Sequence, residues 1–146
     1  MSRSGQGIAG SWPECTLVLC TTTMTNFDIL LLLLLLTTKH NIVDFMIQTG
    51  YQYNNKHIYG HLGGIVHAGL HGIGTLCCMF WFFPSAAIYL AFADAVLHYH
   101  IDWVRINLCY AMNWTVTNNK YWWWTIAIDE QLHYMTYFGL IAVMVL

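Results

Sequence analysis

The chain carries four long apolar segments that are separated by short polar stretches. They cover approximately residues 26–48, 57–83, 85–108 and 121–146, and the first contains an unbroken run of seven leucines at positions 30–36. Each segment exceeds the roughly 20 residues that a helix needs to cross the hydrocarbon layer of a bilayer. The pattern therefore predicts four transmembrane helices.

The stretches between these segments are short. We expect polar loops at residues 49–56 and 113–120, and a tight turn near Pro84, which cannot continue a helix. Short connections make neighbouring helices run in opposite directions. The expected fold is therefore all-α: an antiparallel, up-down bundle of four transmembrane helices that forms one domain over residues 24–146.

The first 23 residues share no pattern with the rest of the chain. Met24, just before the first apolar segment, is a suitable start for a protein. We interpret residues 1–23 as a disordered leader or a misassigned start. A signal peptide is disfavoured, because the apolar stretch at residues 17–20 is too short to be its core.

Composition supports a membrane location. Hydrophobic residues make up 58% of the chain and charged residues only 8%, against about 25% charged in an ordinary soluble domain. So few charges cannot cover the surface of a soluble protein of this size, which makes the lipid bilayer the expected partner. A net charge of -2 and the lack of any Lys/Arg run exclude electrostatic nucleic-acid binding. The cysteines form no CxxC pair, so a disulfide framework is not expected.

The orientation follows from the positive charges. Lys39, Lys56, Arg105 and Lys120 all fall toward the side of the two polar loops. The positive-inside rule therefore places the loops in the cytoplasm and both termini outside. Aromatic residues at positions 121–124 lie where the fourth segment begins, as expected at a membrane interface.

Each apolar segment contains two potential metal ligands spaced four residues apart, a spacing that puts both on one helix face. The metal-ligand candidates are His40 with Asp44, His67 with His71, His98 with Asp102, and Asp129 with His133. At 1.5 Å per residue, all four pairs overlap in one layer about 10–15 Å below the cytoplasmic interface. We therefore expect them to meet in one polar site inside the bilayer.

The number and type of these ligands suggest their chemistry. A carboxylate near the bilayer centre costs at least about 2.5–3.5 kcal/mol, so the aspartates need a partner. Eight ligands are too many for one tetrahedral metal. They suit two metals, or one metal whose ligands are oriented by an outer shell. Nitrogen and oxygen donors without thiolates favour Zn, Fe or Mn.

Several residues near the pairs have more than one interpretation. Asp94 lies one turn before His98 and is a candidate hydrogen-bond acceptor for it. Asp102 and Arg105 form either an ion pair or a catalytic pair, with Asp102 as base and Arg105 holding an anionic substrate. Glu130 projects about 100° away from Asp129 on a helix, so it is a candidate for the outer shell only.

The second segment also predicts close helix packing. Gly60, Gly64 and Gly74 share a broad face with His67 and His71. Small residues let the backbones of membrane helices approach each other closely. We therefore expect this helix to be packed tightly against its neighbours.

Together, these motifs resemble those of a family of small bacterial and phage membrane proteins with a domain of unknown function. The family pattern is H-x3-D-F-x2-Q, a lysine, H-x3-H, H-x3-D-x2-K and D-Q-x2-H, matched here from His40 to His133. The resemblance covers Met24 to the C-terminus, with Arg105 in place of the lysine and Glu130 in place of the glutamine. It implies a bacterial inner membrane or the membrane of a phage-infected host, and it brings no known reaction.

Our first functional hypothesis is a membrane-embedded metal-dependent hydrolase with two metal ions. Its substrate would be lipid-like or a small phosphate-containing compound at the cytoplasmic leaflet. The alternatives are a protein that binds or transports metal ions or protons, a b-type haem protein with paired histidines, and a structural phage or bacterial membrane protein. The sequence leaves open whether the protein is an enzyme, and it does not predict the oligomeric state.

Overall fold

The structure, a computed structural model, describes residues 24–146, and all regular structure in this range is helical. Residues 1–23, interpreted above as a leader, lie outside the described residues. The five α-helices are α1 Asn26–Asn41, α2 Gly50–Asn55, α3 Leu62–Phe80, α4 Ala87–Ala111 and α5 Lys120–Val145. A π-helical turn, Ile42–Met46, continues α1.

Local chemistry explains where these helices begin. Thr25 caps α1 and Thr49 caps α2, each in a capping box in which the third helical residue bonds back to the cap backbone. The side chain of His61 caps α3, and that of Asn119 caps α5. These side chains satisfy backbone N–H groups that have no partner within the helix.

The four long predicted segments are confirmed as helices, with shifted ends. The helix of the second predicted segment, α3, begins at Leu62 rather than at residue 57. His61 caps it, and Gly60 precedes the cap with φ 77°. Gly60 is therefore a turn residue, and its predicted place on the helix face is wrong. The expected loop at residues 49–56 is wrong as well, because its capping box forms the short helix α2.

Glycines bring α3 close to its neighbours, as expected from its sequence. A Cβ on Gly72 would lie 3.1 Å from the Ala91 carbonyl oxygen of α4, and one on Gly74 would lie 3.1 Å from the Lys39 side chain of α1. Gly72 was not among the glycines predicted for this role. The position of α3 between α1 and α4 depends on these close approaches.

Buried side chains divide the bundle into two parts. One part, the apolar layer, is a core cluster that includes Leu32, Leu36, Met79, Leu140 and Ile141. The other part is polar: the five histidines of the predicted pairs are at most 1% exposed. The polar residues lie toward α2, since Lys56 at its C-terminal end is buried among them.

The outer surface of the bundle is strongly apolar. Phe27, Leu30 and Leu34 on α1 are 61–70% exposed, and Ile73 on α3 is 60% exposed. Two helical stretches are long and apolar enough to cross a membrane, Asn26–Met46 with mean hydropathy 1.6 and Leu62–Phe80 with 1.3. α4 and α5, with 25 and 26 residues, have the length but carry more polar and amphipathic side chains.

Candidate metal centre

Asp44 lies at the centre of the polar cluster, on the π-helical turn that ends the first helix. Its Oδ1 is 2.9 Å from His67 Nε2 and 3.3 Å from His71 Nε2, both on α3. Its Oδ2 is 3.0 Å from His40 Nε2, one turn before it. The two carboxylate oxygens therefore face two different sets of imidazoles.

The first set of ligand atoms comes from Asp44, His67, His71 and His98, all within 4.8 Å of one another. His67 Nε2 lies 3.1 Å from His98 Nε2, and His98 Nε2 lies 4.0 Å from Asp44 Oδ1. Donors around one tetrahedral zinc, each about 2.0–2.1 Å from the metal, are roughly 3.3 Å apart. The separations of 2.9–4.0 Å in this group lie on both sides of that value, so its donors could surround a single ion.

The second set joins His40 and Asp44 to Glu130 of α5. His40 Nε2 lies 3.0 Å from Glu130 Oε2, while its Nδ1 lies 3.0 Å from the hydroxyl of Tyr137. A ligand imidazole is commonly held in this way, with its second nitrogen bonded to a neighbour. Glu130, expected only in the outer shell, thus contacts a metal-ligand candidate directly.

A third set lies between α4 and α5 and comprises Asp102, Asp129 and His133. His133 Nε2 is 3.7 Å from Asp102 Oδ1 and 3.8 Å from Asp129 Oδ1. These separations are too long for hydrogen bonds, but they suit donors arranged around a shared cation. All eight predicted ligands therefore belong to at least one such group, and His98 and His133 also group with His40.

Lysines compensate part of the buried negative charge, in pairs that the sequence did not indicate. Lys56 Nζ donates to Asp102 at 2.9 Å, so the ion-pair alternative for Asp102 and Arg105 is wrong, while their catalytic roles stay a prediction. Arg105 instead contacts Asp129, with its Nε 3.4 Å from Oδ2. Lys56 reaches the cluster because α2 folds back over it, and this helix was not predicted.

Asp94 does not accept from His98, contrary to the expectation. It accepts hydrogen bonds from Lys39 Nζ at 2.7 Å and from the Thr75 hydroxyl at 2.6 Å. Lys39 thus neutralises Asp94 inside the bundle. Since Lys39, Lys56 and Arg105 all have carboxylate partners, Lys120 is the exposed member of the four charges used to orient the chain. The orientation stays a prediction.

The imidazoles pack face to face where α3, α4 and α5 meet. The rings of His71 and His98 are stacked with centroids 3.5 Å apart, and those of His98 and His133 are 4.1 Å apart. Four buried atoms have no hydrogen-bond partner among the described residues: His98 Nδ1, Arg105 Nε, Asp129 Oδ1 and His133 Nε2. Buried polar atoms without partners are costly, and a cation bound to Asp129 and His133 would satisfy two of them.

A polar cavity of about 190 Å³ leads to the cluster from the side of α2. Its lining includes the carboxylates of Asp44, Asp102, Asp129 and Glu130, together with Lys56, Arg105 and Gln48. The Gln48 amide nitrogen lies 3.2 Å from His67 Nδ1, so it can orient that ring from the mouth of the cavity. A small solute can therefore meet both carboxylates and cationic groups at this point.

The remaining histidines lie outside the cluster. His100 contacts the Val96 carbonyl and the Tyr59 hydroxyl, while His57 packs against Tyr110. Their separation from the cluster agrees with the interpretation that only the paired histidines share a site.

Comparison with protein-family models found no match to this chain, and searches of curated proteins and of solved structures found no significant similarity. The resemblance to the small bacterial and phage membrane proteins therefore stays a prediction. The case for function depends on the geometry of the buried groups.

Proposed function

We propose that this protein is an integral membrane metalloenzyme, a four-helix antiparallel bundle whose buried cluster binds two divalent transition-metal ions and hydrolyses a substrate at the cytoplasmic leaflet. The observation that carries the proposal is the position of Asp44. Its two oxygens face His67 and His71 on one side and His40 on the other. Asp44 would therefore be a ligand of both ions, with His67 and His71 holding one and His40 the other.

The distribution of side chains supports the membrane location. Buried Asp, Lys and His residues fill part of the interior, while large apolar side chains are exposed around it. In water, an exposed apolar surface of this extent marks a protein or membrane contact. In a bilayer the same arrangement is expected, because ionisable residues there face the interior of the bundle and pair with one another.

The donor set supports borderline metals such as Zn, Fe or Mn. The donors are imidazoles and carboxylates in three of the groups and imidazoles alone in the group of His40, His98 and His133, and these donors suit such ions better than Cu(I). When bound, two such ions lower the pKa of a coordinated water and stabilise negative charge that develops on a carbonyl or phosphoryl oxygen.

The residues that line the polar cavity would bind the substrate and transfer the proton. Within residues 24–146, the carboxylate contact of Arg105 is the 3.4 Å approach of its Nε to Asp129, so its guanidinium would be available to hold an anionic group. Asp102 faces His67 at 3.2 Å and His133 at 3.7 Å, a position from which it acts as a ligand or as the base. Lys56 donates a hydrogen bond to Asp102 and compensates its negative charge.

Transport of a metal ion or of protons is the second candidate, since His67 and His98 begin a chain of close polar groups. The apolar layer argues against it, because Leu32, Leu36 and Met79 have no exposed surface and offer no polar path. The haem alternative is disfavoured too, since the rings of His71, His98 and His133 are stacked without a gap for a porphyrin.

The test is hydrolysis of p-nitrophenyl phosphate by the full chain in detergent, with Zn²⁺, Mn²⁺ or Fe²⁺ added after chelation. We expect activity that depends on metal, that falls by about 100-fold or more in Asp102→Asn, and that persists in the control His57→Ala, a histidine that packs against Tyr110 away from the cluster. Metal binding without turnover of this ester or of a carboxylic ester would contradict the hydrolase proposal and favour the transport candidate.

A further inference from the structure

A second cavity, the α4–α5 groove, lies beside the candidate metal centre. Its walls are the apolar side chains of Ile101, Val104, Leu108, Ile128 and Leu132. Its volume of about 340 Å³ falls in the range of roughly 300–1,000 Å³ that is typical of ligand pockets. Seven helical steps from residue 101 to residue 108 give the groove a length of about 10 Å.

Four further residues, His100, Arg105, Thr125 and Asp129, complete the lining, whose surface is almost wholly apolar. Arg105 and Asp129 line the groove, and the same two residues line the polar cavity that reaches the metal-ligand candidates. Their contact therefore lies at the boundary between an apolar groove and a polar site. An amphiphile has the same two parts, an apolar chain joined to a polar head.

The boundary pair is a weak contact. Arg105 Nε and Asp129 Oδ2 are 3.4 Å apart, longer than an ordinary N–H···O hydrogen bond. Both Arg105 Nε and Asp129 Oδ1 are buried without a hydrogen-bond partner among the described residues. A guanidinium binds a carboxylate or phosphate best through two parallel hydrogen bonds, which Asp129 does not provide here.

We propose that the α4–α5 groove binds the chain of a single-chain anionic lipid, whose head group pairs with Arg105 and faces the metal-ligand cluster from the lipid side. This inference rests on the proposed function, for which it names the substrate class and the direction of approach. Water then enters, and the polar product leaves, through the polar cavity near α2.

The groove faces outward, as lateral access from the bilayer requires. Val104 is 55% exposed, Ile128 57% and Leu132 47%, so a lipid chain can enter sideways between the helices. The positive charge of Arg105 at the boundary favours an anionic head group, and His100 is a second basic residue in the lining of the groove.

The experiment uses the full chain in phosphatidylcholine nanodiscs with Zn²⁺, and palmitate that carries a photoreactive diazirine close to its carboxylate, so that the reactive carbon stays within the groove length of about 10 Å. We expect cross-links at residues 101–108 and 125–132, reduced about tenfold by excess unlabelled palmitate. Ile128→Trp, which fills the groove, should reduce the labelling by a similar factor. Ile73→Trp, at an equally exposed position of α3, should not.

The head group is tested with the matching uncharged diazirine alcohol. Arg105→Gln should reduce labelling by the palmitate probe about tenfold and leave labelling by the alcohol unchanged. Labelling that spreads over all lipid-facing helices, without competition, would overturn the inference. The Zn²⁺ content of the same samples separates the two proposals. If the protein binds Zn²⁺ but unlabelled palmitate does not reduce the labelling, only the lipid site in the groove is refuted. If unlabelled palmitate reduces the labelling but the protein binds no Zn²⁺, only the metal centre is refuted.

Discussion

The apolar layer and the polar cluster are built on the same helices, yet they differ in whether their side chains satisfy one another. Leu36 and His40 are one turn apart on α1, and both have no exposed surface. Around Leu36 and Met79, the interior is filled by apolar side chains in van der Waals contact. Around His40 and His133, buried nitrogens and carboxylate oxygens lie close together, and some have no hydrogen-bond partner among the described residues.

Because of this difference, we expect the apolar layer and the polar cluster to have separate roles. The apolar layer holds the helices in register, since its contacts are satisfied by the protein itself. The cluster brings carboxylates and imidazoles together at a free-energy cost that a cation would offset. Substitutions in the two parts should therefore affect two different measurements, stability and metal binding.

The largest effect is expected at Asp44, because its oxygens face both sets of imidazoles. Asp44→Ala should abolish binding of both metal ions, measured by mass spectrometry of the metal content after gel filtration. Asp28→Asn, at the start of the same helix, is the matched control and should keep both. If Asp44→Ala still bound two equivalents of metal, the proposal that Asp44 is a ligand of both ions would be contradicted.

In the apolar layer, Leu36→Ala should reduce the free energy of unfolding by about 2–5 kcal/mol, because it leaves a cavity among buried side chains. Thermal unfolding in detergent measures this change. The metal content of the folded protein should stay the same. A loss of metal at unchanged stability would show that the two parts are not separable.

Tyr137 lies where the two parts meet, and its hydroxyl contacts His40 Nδ1 at 3.0 Å. Tyr137→Phe keeps the ring and removes only this contact, so metal affinity should fall by about 10–100-fold. Titration calorimetry with Zn²⁺ measures the change. Tyr89→Phe, at an exposed tyrosine of α4, should have no effect; equal affinities in both variants would exclude an orienting role for Tyr137.

The smallest effect concerns the packing that brings α3 and α4 together. Gly72→Ala should destabilise the protein by about 1–3 kcal/mol, because the added methyl meets the Ala91 carbonyl oxygen at 3.1 Å. Gly69→Ala, three residues away on the same helix, has open space for a methyl and should be neutral or slightly stabilising. Equal melting temperatures for the two variants would contradict this close approach.

Long hydrophobic segments made the four long helices predictable, because their length and uniformity leave few alternatives. The short helix α2 was missed, although the Thr49 and Gln52 spacing of a capping box was visible in the sequence. The polar composition of this stretch favoured a loop. Its helical turn matters for the site, because it brings Lys56 to Asp102.

The burial of the eight candidate ligands in close groups was predictable, because a four-residue spacing fixes a shared helix face. Their partners on other helices were not, since they depend on rotation and depth that no single helix determines. Glu130 shows the reason: α5 contacts two neighbours, so Asp129 faces Arg105 of α4 while Glu130 faces His40 of α1. The π-helical turn at Asp44 adds a local rotation that a regular helix would not have.

The central claim is that the cluster is a metal centre, and metal content tests it most directly. The full chain is purified in detergent, and the ratio of metal to protein is measured together with an absorption spectrum. The account predicts about two equivalents of Zn, Fe or Mn without a haem band, and loss of binding when His67 and His71 are both replaced by alanine. A protein without bound metal that also fails to take up Zn²⁺, Fe²⁺ or Mn²⁺ would contradict it.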